Sequence, residues 1–509
     1  MKRVLRHIEE KMRYAEDYAT WRQACLEHDR LSGAEEWKAR DRSSDYDYQL
    51  IRTRIQHIRR TLEKGDVHQL VFHMHEGLHG SLGNIANPNL YLHSKAGTKY
   101  LIEEYLNTVC EALNFICDTE FEDFSLADKL EFFNKTGRAF GQTALMLSGG
   151  AALGLFHIGV CKTLWEEGLL PKVISGSSAG AIVAGVLGTH NDNELAEKLK
   201  PESLYLEAFK YVGWRGVLKG TPVLDGDYLE KCLEENIPDM TFLEAYEHTG
   251  REINIPVSPY DRHQHSRLLN HKTSPNVLIR KAVLASCAIP GIYPPVSLWA
   301  KNMEGEKVPY IPGRKFVDGS IQDDLPIRRL ARLYGINHSI VSQTNPHVVP
   351  FMSRSQAIKQ GGFMPITRTW LRRSLAMNAS FGLDLLHDRV QSNDLGLVVD
   401  KIRSILMQKY DGDINIIPPR RPLNIFRVLA NPSVEDVRDF IRTGERTTWP
   451  RMDMIRNTTQ ISRTFRDCMH RLNQQGQAHI RAASQNTAAA SNVVPLGSAT
   501  TNKQHKKSE

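Results

Sequence analysis

Between about residue 139 and residue 345 the chain reads as short apolar runs, broken by glycine and alternating with helical patterns. This texture predicts an α/β fold built on a parallel sheet with helices on both faces. Two observations complete the outline. Residues 1–138 mix charged and apolar positions at helical spacing, and helical patterns return after residue 345, so N- and C-terminal helical regions flank the core. A chain of 509 residues is also too long for one comfortable core, which favours several structural units.

In the first region, Tyr48–Arg60 and Tyr100–Val109 carry the clearest helical spacing, and no catalytic constellation is visible; residues 1–138 read as an accessory domain. Within a catalytic domain at 139–345, Ala144–Leu147 is a predicted strand, Phe156–Glu167 a helix, Lys172–Ser175 the next strand and Ala179–Leu187 the next helix. The chemistry of such a sheet belongs at the carboxyl ends of its strands. In a C-terminal region at 346–470, Phe381–Met407 and Val434–Arg442 are helical, and Asp413–Pro419 reads as an added strand. Residues 471–509, rich in Gln, Asn, Ala, Ser and Lys, lack the apolar content to bury and predict a disordered tail.

Composition narrows the function classes. The formal net charge of +7 is dispersed along the chain, which helps attraction to an anionic membrane surface. With no helix-turn-helix or zinc spacing, no nucleic-acid partner is expected. Seven cysteines, odd in number and without a C-x-x-C pair, read as reduced thiols of a cytoplasmic protein, with no metal site. The amino terminus is charged throughout and lacks the apolar core of a secretory signal, so export by that route is not expected. Ala139–Cys161 and Val173–Asn191 contain no Asp, Glu, Lys or Arg and are long enough to span a bilayer. Their Gly and Ser clusters fit a buried strand, a glycine turn and a helix better than a transmembrane hairpin. The run Arg368–Arg373, with Trp370, Leu371 and Arg372, is a candidate interfacial patch, against the alternative of a solvated helix packing Trp370 inward.

Three motifs carry chemistry. Gly176-Ser177-Ser178-Ala179-Gly180 lies between an apolar strand and a small-residue helix, which fits a nucleophile elbow: a tight turn lifts the Ser178 hydroxyl above the sheet, and small neighbours avoid clashes. Upstream, Ser148-Gly149-Gly150-Ala151-Ala152-Leu153-Gly154 also joins a strand to a helix. It lacks the Lys-Ser/Thr ending of a P-loop and the spacing of a dinucleotide loop, so an oxyanion hole is the economical role. Asp318-Gly319 follows the apolar Phe316-Val317; alone it reads as an ordinary turn, and its value comes from the other two.

A glycine loop, a G-x-S-x-G and a D-G in that order resemble the patatin-like phospholipase family. Leu268–Ile279 and Ala285–Tyr293 resemble the block preceding that family's aspartate. Trp37–Arg60 and Gly97–Tyr105 resemble the N-terminal helical domain, of the DUF3336 type, in triacylglycerol lipases of fungal and plant storage lipid. The resemblance spans about residues 15–460. It implies a patatin-like core and a Ser–Asp dyad without histidine, with no metal or organic cofactor. Asp318 would accept the Ser178 proton, the serine would attack the ester carbonyl, and the Gly149 and Gly150 N–H groups would hold the oxyanion, with Ala151 and Gly154 completing the loop. Water would then release the fatty acid. A carboxylate at its ordinary pKa is a poor base for serine, so this chemistry asks for a partly desolvated Asp318.

The implied activity is cleavage of lipid carboxylic esters in lipid catabolism, as a triacylglycerol lipase or as a phospholipase A or lysophospholipase. The partners implied are a lipid ester substrate and the surface of a membrane or lipid droplet, touched peripherally; the oligomeric state is left open. Two departures stand out. Leu153 occupies the place where many patatins carry Arg or Lys, a basic residue that the storage-lipid branch also lacks, and D-G-S replaces D-G-G or D-G-A. The first weakens any transfer of phospholipid specificity.

Two other classes compete. An α/β-hydrolase would pair Ser178 with an Asp and a later histidine such as His338, His347 or His387, but that fold usually places several strands before its elbow. A non-catalytic lipid-binding protein would have no reason to retain nucleophile, glycine loop and aspartate together.

Overall fold

A computed structural model describes residues 1–204, 208–211, 223–261, 264–320, 324–345, 411–419 and 430–491. Before the first strand every regular element is helical, from Lys2–Tyr14 to Leu126–Phe140. The strands then follow as β1 (Gln142–Leu147), β2 (Val173–Gly176), β3 (Glu252–Pro259), β4 (Arg267–Leu269), β5 (Trp299–Lys301), β6 (Lys307–Pro309), β7 (Phe316–Asp318), β8 (Ile336–Ser342) and β9 (Ile414–Ile416). Seven of them make one sheet in the order β4-β3-β2-β1-β8-β9, with β7 also paired to β3. The centre is parallel, β3 with β2, β2 with β1, β1 with β8 and β8 with β9, whereas β4 and β7 run antiparallel to β3. β5 and β6 form a separate antiparallel hairpin.

Both faces of the sheet are covered, as the uninterrupted apolar strands require. Alternate residues of β1 enter two different cores. Leu145 and Leu147 pack with Leu155, Ile158, Val183 and Leu187 from two helices, while Ala144 and Met146 pack with Leu330 and Tyr334. The predicted parallel α/β core with flanking helices is therefore the fold found. Each early element lies within a residue or two of its expected bounds: the helices are Leu155–Glu166 and Ala179–Thr189, and β2 begins one residue later than predicted. Asp413–Pro419 supplies β9 at the sheet edge. Val434–Thr448 contains the helix expected at Val434–Arg442, whereas Phe381–Met407 lies outside the described residues.

Two glycines let that later helix approach the one behind the glycine loop. A Cβ on Gly159 would lie 1.9 Å from the Ile441 carbonyl oxygen, and one on Gly444 would lie 2.2 Å from the Phe156 carbonyl oxygen. Lys162 and Glu445 pair across the same seam at 2.6 Å.

Two compact units divide the chain: Met1–Tyr48, Gly80–Glu103 and Gly141–Thr459 in one, and Gln49–His79, Glu104–Phe140 and Gln460–Glu509 in the other. In the first unit the two N-terminal segments singled out in the sequence meet, because Lys99 Nζ lies 3.9 Å above the Trp37 ring and donates to the Trp37 and Arg40 carbonyls. Nearby, buried Asp29 takes Lys38 Nζ at 2.9 Å and the N–H groups of Lys95 and Ala96. The second unit is helical and packs Phe133 and Phe140 on Phe465. The last helix, Met452–Ser491, continues into the stretch that composition reads as a tail. Among the described residues no helix is long and apolar enough to cross a membrane: Ala139–Cys161 is β1, a glycine turn and a helix.

Candidate active site

β2 ends at Gly176 and the next helix begins at Ala179, leaving two residues to reverse the chain. Ser178 sits at the apex with φ 51° and ψ −121°. That conformation costs a non-glycine residue on the order of 1–3 kcal/mol, and it persists only where the surroundings over-determine it. The flanking glycines are there for space. A Cβ on Gly176 would lie 2.1 Å from the Gly180 carbonyl oxygen, and one on Gly180 would lie 2.3 Å from the Leu147 carbonyl oxygen. Ser178 is 7% exposed, so its hydroxyl looks into a recess rather than bulk solvent.

The glycine loop leaves β1 beside this turn. A Cβ on Gly149 would stand 3.4 Å from the Ser178 Cβ, and one on Gly154 would stand 2.4 Å from the Ala179 Cβ. Buried side chains hold the loop from behind. Thr344 donates its N–H to Ser148 Oγ at 2.8 Å and its hydroxyl to the Gly149 carbonyl at 3.0 Å. His157 Nε2 faces the Ser148 carbonyl at 2.9 Å, and its Nδ1 faces Ser342 Oγ at 2.7 Å. A carbonyl can only accept, so Nε2 carries the proton and Nδ1 accepts from the serine. Burial pushes the His157 pKa down to about 4, which keeps the ring neutral.

One loop donor is already engaged. The Gly149 N–H, assigned to an oxyanion on sequence grounds, is donated to Asp324 Oδ1 at 3.1 Å. The other carboxylate oxygen of Asp324 accepts from Asn345 Nδ2, and its backbone carbonyl accepts from Ser177 Oγ at 2.8 Å. The N–H groups of Gly150 and Ala151 have no protein acceptor among the described residues. Ala151 holds a φ of 48°, at the start of the 3-10 turn Ala151–Gly154.

Asp318 ends β7 and is 1% exposed, meeting the desolvation asked of a carboxylate base. Gly319 behind it allows a close crossing, since a Cβ there would lie 2.4 Å from the Pro256 carbonyl group. The two predicted catalytic residues converge on one segment. Ser178 donates its N–H to Ser286 Oγ at 3.2 Å and accepts from Cys287 Sγ at 3.3 Å, while Asp318 donates its N–H to the Ala288 carbonyl at 3.0 Å. Burial, then the nearby Asp318 carboxylate, raises the Cys287 thiol well above its usual range, so it stays protonated as that donor.

Ser178 lines a cavity together with Ala151, Leu155, Ile182, Val186, Leu229 and Tyr293, with about 1050 Å³ of atom-free space, part of it open to solvent. Its walls are almost wholly apolar, which suits a hydrocarbon chain.

Of the histidines that an α/β-hydrolase would need, His338 pairs with Thr143 near the start of β1, about 16 Å along the strand from Ser148. His347 and His387, like the basic patch at Arg368–Arg373, lie outside the described residues. No cluster of metal-binding side chains occurs among the described residues. Sequence reading missed Asp324, Asn345, Thr344, Ser286 and the loop-holding role of His157. Asp323-Asp324, just past the D-G, was the available signal for the first.

Residues 2–138 match the model of a domain of unknown function, DUF3336, and residues 145–331 match that of patatin-like phospholipase. The chain is 37% identical to triacylglycerol lipase 4 of Saccharomyces cerevisiae, over 87% of this chain and 51% of that protein. It is 34% identical to triacylglycerol lipase SDP1L of Arabidopsis thaliana, over 84% and 54%. With triacylglycerol lipase ptl3 of Schizosaccharomyces pombe it shares 32% identity, over 89% of this chain and 95% of that one. The chain thus spans about half the length of the first two relatives and nearly all of the third. With an elbow, a glycine loop and a D-G strand end built as that architecture needs, the chain belongs to the patatin-like phospholipase family, in the group that carries a DUF3336 domain before the patatin domain.

Proposed function

We propose that this chain is a serine acyl hydrolase that cleaves carboxylic esters of lipids, with triacylglycerol as its substrate. The observation that carries the reading is the strained Ser178 lining an apolar cavity, with buried Asp318 reaching the same three-residue segment. Asp318 accepts the Ser178 hydroxyl proton and the oxygen attacks the ester carbonyl. The Gly150 and Ala151 N–H groups, at the head of the following helix, take the developing oxyanion; Gly149 would join them only on release from Asp324. The acyl chain lies in the cavity while Asp318 gives the proton it took to the departing alkoxide, which leaves as the alcohol. Water, deprotonated by Asp318, then frees the fatty acid and returns the serine its proton.

The names of the relatives favour triacylglycerol over phospholipid. Leu153, apolar where many patatins carry Arg or Lys, points the same way. Such a substrate forms its own phase, so the enzyme works at a lipid surface, peripherally, on a lipid droplet or membrane of the cytoplasm. In this reading residues 1–138 are accessory to a catalytic domain at 139–345. The test is fatty-acid release from triolein and phosphatidylcholine emulsions by the wild-type chain, Ser178→Ala and Asp318→Asn. Triolein hydrolysis lost in both variants is expected. Hydrolysis of phosphatidylcholine alone would make the enzyme a phospholipase, and triolein hydrolysis surviving Asp318→Asn would end the dyad.

A further inference from the structure

The segment Ser286-Cys287-Ala288, where the Ile279–Cys287 helix ends, touches both members of the dyad through its first, second and third residues. From this geometry we infer that Ser286 is a positioning residue: its hydroxyl holds the backbone of Ser178 in the strained attacking conformation and ties it to the strand beside Asp318. The inference rests on the dyad reading above and deepens it.

Ser178 lies in a region of backbone space that a serine leaves unless both its peptide groups are held. The carbonyl is held in part by the helix it opens, accepting the N–H groups of Ala181 and Ile182, whereas the N–H is held by a side chain of another element, and a neighbouring side chain of that element adds to the carbonyl. Ser286 Oγ accepts the Ser178 N–H at 3.2 Å, and Cys287 Sγ donates to the Ser178 carbonyl at 3.3 Å. The Ser286 hydroxyl proton is spent on the Pro256 carbonyl at 2.9 Å. A hydroxyl whose donor is committed to one fixed carbonyl points its lone pairs in a fixed direction, which here is the Ser178 amide. Ser286 is fully buried, away from bulk water.

The Pro256 anchor matters because of what adjoins it. Pro256 is in β3, and its neighbour Val257 is the β3 residue paired with Asp318. Gly319 crosses the same carbonyl so closely that a Cβ would collide with it. The next residue along, Ala288, receives the Asp318 N–H. Nucleophile and base arrive from segments about 140 residues apart in the chain, and this short bridge is bonded to the backbones of both. Serine at 286 supplies the acceptor: alanine would leave the Ser178 N–H buried without one.

The experiment compares wild type, Ser286→Ala, Ser286→Thr and Ser286→Cys as full chains. The rate at which a fluorophosphonate modifies Ser178 is followed by mass spectrometry, and kcat and KM for a short-chain p-nitrophenyl ester are measured alongside, at a temperature where thermal melts show each protein folded. Ser286→Ala should slow both labelling and kcat by about tenfold or more, with KM changed less than about twofold, because geometry and not binding is lost. Ser286→Thr, which keeps the hydroxyl, should recover most of the rate. Labelling of folded Ser286→Ala at the wild-type rate overturns the inference, as does a loss confined to KM. If Ser286→Ala does not fold, Ser286→Cys, similar in shape but a weak hydrogen-bonder, takes its place with the same expected loss and the same overturning result. Labelling needs no turnover, so a wild-type chain that labels at Ser178 yet hydrolyses no lipid refutes the proposed activity while the Ser286 comparison still decides this one.

Discussion

Gly149 and Asp324, 175 residues apart in the chain, are joined by a 3.1 Å hydrogen bond from the Gly149 amide to the Asp324 carboxylate. The same carboxylate is held by Asn345, and the Asp324 carbonyl takes the hydroxyl of Ser177, next to Ser178. Asp324 therefore fastens the glycine loop, the elbow and the end of the β8 segment together. It also decides which loop amides are free to face an oxyanion.

Removing that fastener should reduce catalysis more than binding. Asp324→Ala removes the acceptor of the Gly149 N–H and of the Asn345 side-chain amide; we expect a stability loss of about 1–3 kcal/mol in urea unfolding and a fall in kcat of at least about tenfold. Asp324→Asn keeps an acceptor for Gly149, with Asn345 able to turn its amide over, and should stay within about threefold of wild type. Equal losses in the two variants would point to the charge of Asp324 rather than its hydrogen bonds.

His157 makes stability depend on pH. The unfolded imidazole titrates near 6.5 and the buried one near 4, so between those values the unfolded chain binds the extra proton. The contribution is complete above about pH 6.5 and is lost as pH falls towards 4, by up to roughly 3 kcal/mol. Urea midpoints at pH 7, 6 and 5 for wild type and His157→Gln check this. The difference between the two proteins should shrink on acidification, and parallel curves would contradict the assignment.

The cavity should read acyl-chain length. Ile182 lines it one turn beyond Ser178, and Ile182→Trp fills space that the distal methylenes of a long chain would occupy. Each buried methylene is worth about 0.8 kcal/mol, so blocking even two of them should lower kcat/KM for a long-chain p-nitrophenyl ester by about tenfold or more. A butyrate ester should change by less than about threefold. Uniform loss across chain lengths would place the acyl group elsewhere.

Much of this site was legible because its signals are local. Strand, turn and helix follow one another within Gln142–Leu155 and Val173–Ala179, and a glycine flanking a turn serine reports a crowded crossing wherever it occurs. The helical N-terminal region was legible for the same reason, since period 3.6 is a property of neighbours. What could not be read joins distant segments: Ser286 to Ser178, Asp324 to Gly149, and Thr344 to the loop. Sequence spacing carries no distance at those separations. The antiparallel pairing of β7 with β3 was equally invisible, because three apolar residues state no direction.

By itself, then, the sequence determined the α/β class, the order of loop, elbow and D-G, and Ser178 as a candidate nucleophile, all consequences of short-range periodicity and turn chemistry, while Asp318 became a candidate base through the family resemblance. Tertiary structure alone decided which loop amides lack a protein acceptor among the described residues, which hydroxyl accepts the Ser178 amide, and that Ser178 lines an apolar cavity. These depend on where the sheet brings remote chain ends together, and the packing of both its faces settles that only when the whole core has formed.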